Sequence, residues 1–555
     1  MTSRTGGQIL VDQLKAHGVG HVFCVPGESY LAVLDALHDS GIRAIVCRQE
    51  GGAAYMAEAA GKMTGRPGIV MVTRGPGATN ASGGIHVAAQ DSTPLIMFVG
   101  QVARDMKERE AFQELDYKAV FGSIAKWVVE IDRADRIPEL VSRAFHVAMQ
   151  GRPGPVVVAL PEDMLTDMAE VADAPPVSPA VMHPGPADME ELRRRLLAAE
   201  RPIVLAGGSG WSAGGVQNLV RFAEAYSLPV AVTFRRQMLF PADHPNFAGD
   251  LGIGPNPKLL QRVKDADLAL LVGGRLSEMP SQSYTLLAIP GDGKKLIHVH
   301  PGAEELNRVY RTGLGILATP HAFAAAAAAL PKPNAVAWAG EAAAAHADYL
   351  AWSDTAKVMT PGALQMAGVM AHLKDAMPAD TIYCNGAGNY ATWVHRFWPF
   401  RGFATQLAPT SGTMGYGVPA AVAAKALAPE RTVIAFAGDG CFLMNGQEFA
   451  TAIQYGLPII VVVVDNGMYG TIRMHQEREY PGRVSATDLK NPDFAALARA
   501  YGGHGETVTA TAEFAPALAR AQGSGKPAII HCLIDPEAIT PARSLSDIRR
   551  AALKQ

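Results

Sequence analysis

The chain has 555 residues, 48% of them hydrophobic and 18% charged, and its 49 Lys and Arg against 52 Asp and Glu leave a formal net charge of −3. That length is too great for one core and fits three domains of ordinary size. The balanced charge without a basic block argues against nucleic acid or an anionic membrane as partner, and no apolar run reaches transmembrane length. The five cysteines, Cys24, Cys47, Cys384, Cys441 and Cys532, form no C-x-x-C pair. They read as buried thiols of a reducing compartment, so a cytoplasmic protein is expected.

MTSRTGGQILVDQLKAHG reads as an amphipathic helix rather than a signal peptide. HVFCVPG is a strand ending in a Pro26-Gly27 turn, Ser29 to Ser40 a helix, and IRAIVCRQ a second strand. EGGAAYMAEAAGKMTG, opened by Glu50, is so rich in Gly and Ala that another element is expected to pack closely on it. GIVMVTRGPGATN is a strand and a glycine turn, with a helix predicted to begin near Asn80; TPLIMFVGQ and RPGPVVVALPEDM are further strands. This is βαβ alternation over a parallel sheet. ADAPPVSPAVMHPG, from Ala172, is proline-rich and aperiodic, a linker.

RPIVLAGGSGW, LPVAVTF, ADLALLVGGRL and KKLIHVHPG supply the strands of a second α/β domain. Its Gly207-Gly208-Ser209-Gly210 lacks the full spacing and the acidic residue of a dinucleotide fingerprint. Ala322 to Ala329 and EAAAAHADYLAW read as alanine-rich helix. A third domain follows from near Pro361, with TIYCNGAGN as first strand and loop, GTMGYGVPAAVAAKAL as a glycine turn into a helix, KPAIIHCLID as last strand and ITPARSLSDIRRAALKQ as a helical tail.

Within that third domain, Ala437 to Gly470 carries the most chemistry. TVIAFAGDG is a buried strand ending in Gly-Asp-Gly, Asn445 to Tyr455 reads as a helix, and LPIIVVVVDN is a second strand ending in Asp-Asn. In a parallel sheet both strand ends lie on one edge, which brings Asp439 and Asn466 together. Two oxygen donors beside glycines suit Mg²⁺, which keeps waters and recruits phosphate oxygens.

Taken together these residues resemble the thiamine-diphosphate-dependent 2-oxo acid decarboxylases and carboligases, the acetolactate synthase branch in particular, over nearly the whole chain. The resemblance implies an α/β fold of three doubly wound parallel-sheet domains: pyrimidine-binding (1–170), central (186–335) and diphosphate-binding (356–535), with a helical tail (536–555). Its most specific motif is GDG…DN, here Gly438-Asp439-Gly440-Cys441 and Asp465-Asn466-Gly467-Met468-Tyr469. By resemblance Asp439, Asn466 and the Met468 carbonyl hold Mg²⁺, and Asn385, Gly386, Ala387, Gly388 and Asn389 cradle the diphosphate. In GTMGYGVP, Met414 would bend the cofactor and the Gly412 carbonyl would accept from its amino group. Glu50 would bond a pyrimidine nitrogen and support the tautomer that removes the thiazolium proton, a role that suits a partly desolvated carboxyl.

The implied chemistry is decarboxylation of a 2-oxo acid through a covalent enamine, which then meets a proton or a second carbonyl compound. In REAFQELD, Phe112 and Gln113 match residues that face the thiazolium, and Lys126 a lysine near the entrance. Glu28 stands where decarboxylases carry an acidic proton donor and acetolactate synthases a small residue. His475 replaces the tryptophan that selects the second 2-oxo acid, and titrates near neutrality; His86 is expected to be a core histidine or a site residue. Both departures leave a non-ligating decarboxylase open. The central domain keeps Arg275 but not the acidic pair of flavin-binding members, which counts against bound FAD without excluding it. A homodimer or homotetramer is implied, with Glu50 serving a cofactor held by the partner. The alternative from another class is a NAD- or FAD-binding redox protein.

Overall fold

A computed structural model describes residues 2–293 and 295–554; Met1 and Gln555, at the ends of the expected terminal helices, and Lys294, at the head of KKLIHVHPG, lie outside the described residues. The chain divides into two compact units, one of Met1–Ala180, Val418–Pro429 and Asn445–Leu457, the other of Val181–Gly417, Glu430–Met444 and Pro458–Gln555.

In the first unit six parallel strands run in the order Arg43–Val46, His21–Cys24, Gly68–Val72, Leu95–Gln101, Pro155–Pro161, Trp127–Glu130. Gly68–Val72, Leu95–Gln101 and Pro155–Pro161 are buried along their whole length, as strands covered on both faces must be. Trp127–Glu130, half-exposed at the edge, has too short and mixed a pattern to stand out in the sequence. The small residues after Glu50 have their explanation here. The helix Glu50–Thr64 packs on the helix Pro76–Asp91 so closely that a Cβ at Gly84 would lie 2.3 Å from the Ala54 methyl. A Cβ at Gly68 would lie 1.8 Å from the Ala57 carbonyl oxygen.

The second of these helices begins at Pro76, not near Asn80: proline has its φ pre-set for the first helical position and lacks only an N–H that needs no partner there. Ser29–Ser40 is likewise divided, into a 3₁₀ turn Glu28–Tyr30 and a helix Leu31–Leu37.

The exposed edge of this sheet is covered by residues from far along the chain. Tyr455 Oη accepts the Val46 N–H at 2.8 Å and donates to the Ala44 carbonyl at 3.0 Å. Glu448, fully buried, accepts the backbone N–H groups of Arg48 and Gln49 at 3.0 and 2.9 Å and the Thr451 hydroxyl at 2.6 Å. Gly52 leaves it room, since a Cβ there would sit 2.6 Å from Glu448 Oε1. These bonds explain why Asn445 to Tyr455 is not one helix: a helix Asp439–Asn445 gives way to a 3₁₀ turn Gly446–Glu448, and a second helix Phe449–Gln454 follows.

The second unit holds two six-stranded parallel sheets. The central one runs Phe247–Leu251, Val230–Thr233, Pro202–Ala206, Leu268–Val272, Leu296–His300, Leu314–Leu317. Four of these strands are legible as apolar runs; Phe247–Leu251 and Leu314–Leu317, the two edges, are interrupted by glycine and do not stand out in the sequence. The other sheet runs Gln406–Leu407, Ile382–Asn385, Val433–Gly438, Ile460–Asp465, Ala528–Leu533, His504–Val508, and again its two edges are the strands that the apolar pattern leaves out. The linker from Val171 to Gly185 has no regular structure. No helix among the described residues is long and apolar enough to cross a membrane.

Candidate cofactor-binding site

From the strand Ile382–Asn385 the chain goes to the edge strand Gln406–Leu407 on one side, then crosses to Val433–Gly438 on the other. Such a reversal opens a crevice at the carboxyl ends of the strands, where ligands of open α/β sheets bind. Here it is a cavity of about 240 Å³, lined by Ala387–Tyr390, Trp393, Gly412, Met414, Gly438–Cys441, Val464, Asn466, Met468–Ile472, Ile534, Ala538 and Ile539.

Its polar end is built on Asp439 and Asn466. Asp439 is buried; its Oδ2 accepts the Met468 N–H at 3.2 Å and the Asn491 side-chain amide at 2.7 Å, and its Oδ1 accepts the Gly440 N–H at 2.9 Å. The same Asn491 nitrogen donates to Asp465 Oδ1 at 2.8 Å, while His531 Nε2 donates to Asp465 Oδ2 at 2.9 Å. One amide thus bridges two carboxylates. Burial pushes the Asp439 carboxyl above its ordinary range against the donors from Asn491 and Gly440, and Asp465 adds to the rise. For Asp465 the same desolvation is outweighed by His531, Gly467 and Asn491, so its carboxyl stays below the ordinary range. Asn466 lines the cavity, and Gly470 leaves its amide space: a Cβ there would lie 2.8 Å from Asn466 Nδ2. The Met468 carbonyl accepts the Gly470 N–H at 2.8 Å and keeps its second lone pair. No group of three or more His, Cys, Asp or Glu among the described residues is placed to hold a metal. The candidate set here is one carboxylate, one amide and one carbonyl, the oxygen donors a hard cation takes.

The walls are loops held by their own packing. At Gly438 a Cβ would meet the Tyr390 ring at 2.8 Å, and at Gly440 the Tyr469 ring at 2.6 Å. Beyond Gly412, whose φ is +68°, there is only open space. Met414 is partly buried against the core of this sheet. Asn389 and Thr471 exchange bonds: the Thr471 hydroxyl accepts the Asn389 N–H at 3.1 Å and donates to its Oδ1 at 3.0 Å. Asn385 and Gly386, expected in the cradle, are buried and not among the lining residues; Asn385 Nδ2 donates to the Gly386 carbonyl at 2.8 Å.

The opposite wall comes from the end of the chain, which carries no motif that marks it as part of a site. Ile539, Leu545 and Ile548 pack with Met468 in one apolar cluster. The tail helix Leu545–Ala552 is latched to the helix Gly470–Glu479 by Arg549, whose Nε donates to Glu477 Oε2 at 2.7 Å and whose Nη2 pairs with Oε1. Hydrogen bonding from Arg549, helped by Gly482 and Arg473, pulls the Glu477 carboxyl down to about 2. His475, on the same helix, does not line the cavity; Arg478 Nη2 donates to its Nδ1 at 2.6 Å. Burial and the Arg478 charge both lower its pKa.

Of the remaining expected residues, Glu28 and Glu50 follow closely on the carboxyl ends of strands of the first unit. Glu50 is the first residue of its helix, and its Oε2 accepts the Asn80 amide at 3.0 Å. Gln113, at φ +64°, packs where a Cβ on Gly75 would lie 2.9 Å from its own, and the Gly75 N–H is held by Tyr117 Oη at 3.2 Å. Phe112 is 72% exposed. Glu28 is exposed and paired with Arg74 at 3.1 Å, and Arg74 pairs also with Glu162. His86 is exposed on the helix Pro76–Asp91, which corrects its reading as a core histidine. Lys126, expected near an entrance, donates to the carbonyls of Gln150 and Arg152 at 2.7 and 2.8 Å. In the central sheet, Gly208 packs so tightly that a Cβ would lie 1.8 Å from the Gly273 carbonyl oxygen, and Arg236 Nε donates to the Gly208 carbonyl. Gly208 is thus required by the contact between these two loops.

Comparison with known proteins matches three family models in succession: the N-terminal thiamine pyrophosphate (thiamine diphosphate) binding domain of thiamine pyrophosphate enzymes at residues 4–120, their central domain at 189–327, and their C-terminal binding domain at 386–532. The acetolactate synthase isozyme 2 large subunit of Escherichia coli K12 is 31% identical over 535 residues, 96% of this chain and 95% of the relative. The acetolactate synthase large subunit of Lactococcus lactis is 33% identical over 518 residues, 90% of this chain and 87% of the relative. A probable acetolactate synthase large subunit of Methanocaldococcus jannaschii is 30% identical over 553 residues, 97% of this chain and 93% of the relative.

Proposed function

Because this chain belongs to the thiamine pyrophosphate enzymes, within the acetolactate synthase large-subunit family, we propose that it decarboxylates a 2-oxo acid and joins the remainder to a second carbonyl compound. The observation that carries the reading is the cavity at the switch of the third sheet. It has an Asp439–Asn466 pair at one end, Met414 on its wall and open space beside Gly412. Bound there, thiamine diphosphate would supply a nucleophilic ring carbon to add to the 2-carbonyl and a positively charged thiazolium ring to take up the electron pair left by carbon dioxide.

The protein's part is to bind, orient and move protons. Asp439, Asn466 and the Met468 carbonyl would hold Mg²⁺ on the diphosphate, with Ala387 to Asn389 around it and Tyr469 and Cys441 beside it. Met414 and the Gly412 carbonyl would fix the bend of the cofactor. Glu50 would share a proton with its pyrimidine; Asn80 occupies one carboxylate oxygen and leaves the other for that exchange. Gln113 would face the reacting carbon. The apolar wall of Ile534, Ala538 and Ile539 would limit the access of water to the reacting atoms.

We read the working enzyme as a homodimer or homotetramer in which Glu50 of one copy serves the cavity of another. Mixing Glu50→Gln with Asp439→Ala subunits should then restore activity, since the hybrid regains one intact site; no recovery in a verified hybrid overturns that arrangement. The function is tested with thiamine diphosphate, Mg²⁺ and a panel of 2-oxo acids, scoring carbon dioxide and ligation products. No carbon dioxide from any acid rejects it. Carbon dioxide with aldehyde and no ligated product selects simple decarboxylation, for which Glu28, exposed and kept next to Arg74, is the structural argument.

A further inference from the structure

Arg235 has no place in the chemistry above, yet its surroundings are unusual for an arginine. It is 2% exposed, and its backbone lies at φ +57°, a region costly for any residue with a Cβ. It follows the central strand Val230–Thr233, and its side chain reaches out of that sheet. Nη1 donates to the Pro409 carbonyl at 2.5 Å and Nη2 to the Gly386 carbonyl at 2.8 Å.

Those carbonyls belong to the two loops that form the cavity walls. The Pro409 carbonyl also accepts the Gly412 N–H at 3.1 Å, closing the turn that leads to Met414. The Gly386 carbonyl begins the peptide that leads to Ala387. In a trans peptide the N–H points opposite to the C=O. With the Gly386 oxygen turned to Arg235, the Ala387 N–H is turned away from it, to the Cys441 sulfur. That sulfur accepts the Gly415 N–H at 3.2 Å as well, and the Tyr390 hydroxyl lies 3.1 Å from it. Gly386 must be glycine for this arrangement, because a Cβ would lie 2.7 Å from the thiol.

We propose that Arg235 is a positioning residue that, with Cys441 opposite, clamps the Gly386–Ala387 peptide and the Pro409–Gly412 turn, so that both cofactor loops are aligned before the cofactor arrives. A guanidinium is suited to such a clamp, because its planar fork spans two carbonyls at once, which the single nitrogen of lysine does not. A strained, buried cation is retained because two loops that must meet one ligand are set by one rigid group, lowering the ordering cost of binding.

The inference rests on the proposed function, and the experiment separates the two. Thiamine diphosphate binding is measured by calorimetry at saturating Mg²⁺ for the wild type, Arg235→Met, Arg235→Lys and Gln237→Ala. Gln237 joins the same segments through Gln406 and the His395 carbonyl, without touching either loop, and so reports general loosening. Arg235→Met should bind the cofactor at least about tenfold more weakly, from the loss of two charge-assisted bonds. Gln237→Ala should stay within about twofold of the wild type, the spread of a substitution that leaves the loops' own bonds intact. At saturating cofactor the KM for the 2-oxo acid should be unchanged in Arg235→Met. Should that variant fail to fold, Arg235→Lys decides: a several-fold loss with faster hydrogen exchange at the Ala387 amide supports the clamp, and wild-type affinity overturns it. Equal loss in Arg235→Met and Gln237→Ala also overturns it. A wild type that binds no thiamine diphosphate removes the proposed function, and the clamp with it.

Discussion

Asp439 and Asp465 end neighbouring strands, and two buried carboxylates so placed repel unless something stands between them. Asn491 is that group, giving one amide nitrogen to both. Replacing it with Leu removes the shared donor while keeping the volume. The expected result is about 2 kcal/mol lower stability to urea, together with weaker Mg²⁺-dependent retention of cofactor on gel filtration; unchanged retention would show that Asp439 needs no such support. Glu50→Gln keeps shape and its partner Asn80, but an amide does not exchange a proton. It should retain cofactor while turnover falls by roughly two orders of magnitude or more, and near-normal turnover counts against the role given to Glu50. Asp439 and Asn466 are legible in the sequence because strand ends in a parallel sheet share an edge. Asn491 and His531 are not: they lie outside any motif and meet the carboxylates only through tertiary folding.

Among elements, the most telling pair is the helix Glu50–Thr64 and the helix Pro76–Asp91, whose close approach is set by Gly84, while the first helix also presses on the strand that begins at Gly68. Gly68→Ala would place a methyl 1.8 Å from the Ala57 carbonyl oxygen. Because that atom is backbone, it cannot swing aside, and a loss of about 3 kcal/mol is expected, read as a lower urea midpoint with unchanged slope. The small-residue content of the sequence announces this contact, though not its partner. The tail helix is the opposite case. Its sequence is largely polar, and beside the apolar contacts of Leu545 and Ile548 it is held by one buried glutamate, Glu477, reached by Arg549. The Glu477 carboxyl is held at about 2, below its ordinary value. Its contribution is therefore complete above the ordinary carboxylate range and fades as pH falls toward 2. Hydrogen exchange across Leu545–Ala552 should rise over that interval and stay flat above it. Arg549→Ala should release the helix at neutral pH, at a cost of about 2 kcal/mol, and expose the wall formed by Ile539.

For the molecule as a whole, apolar runs and Gly-Pro punctuation are enough to read three layered α/β domains, because central strands of parallel sheets are buried on both faces. Most edge strands carry no such mark: Trp127–Glu130, Phe247–Leu251, Leu314–Leu317, Gln406–Leu407 and His504–Val508 do not stand out in the sequence, whereas the edge strand Arg43–Val46 does, through the apolar residues of IRAIVCRQ. The 3₁₀ turn at Gly446–Glu448 escapes the sequence reading too, since its cause is a bond from Glu448 to backbone some 400 positions earlier.

That bond bears on how the protein is made. The edge strand Arg43–Val46 leaves the ribosome early, while Tyr455, which occupies its Val46 N–H and Ala44 carbonyl, and Glu448, which occupies the Arg48 and Gln49 N–H groups just beyond it, are translated after about four-fifths of the chain. Through most of synthesis the nascent first sheet carries an open border able to pair with another strand. A nascent chain stalled at residue 180 should therefore recruit holding chaperones and be cut readily near Val46, and a chain stalled after residue 457 has emerged should be resistant. Equal protease sensitivity at the two lengths would mean that the border is closed by something other than Glu448 and Tyr455.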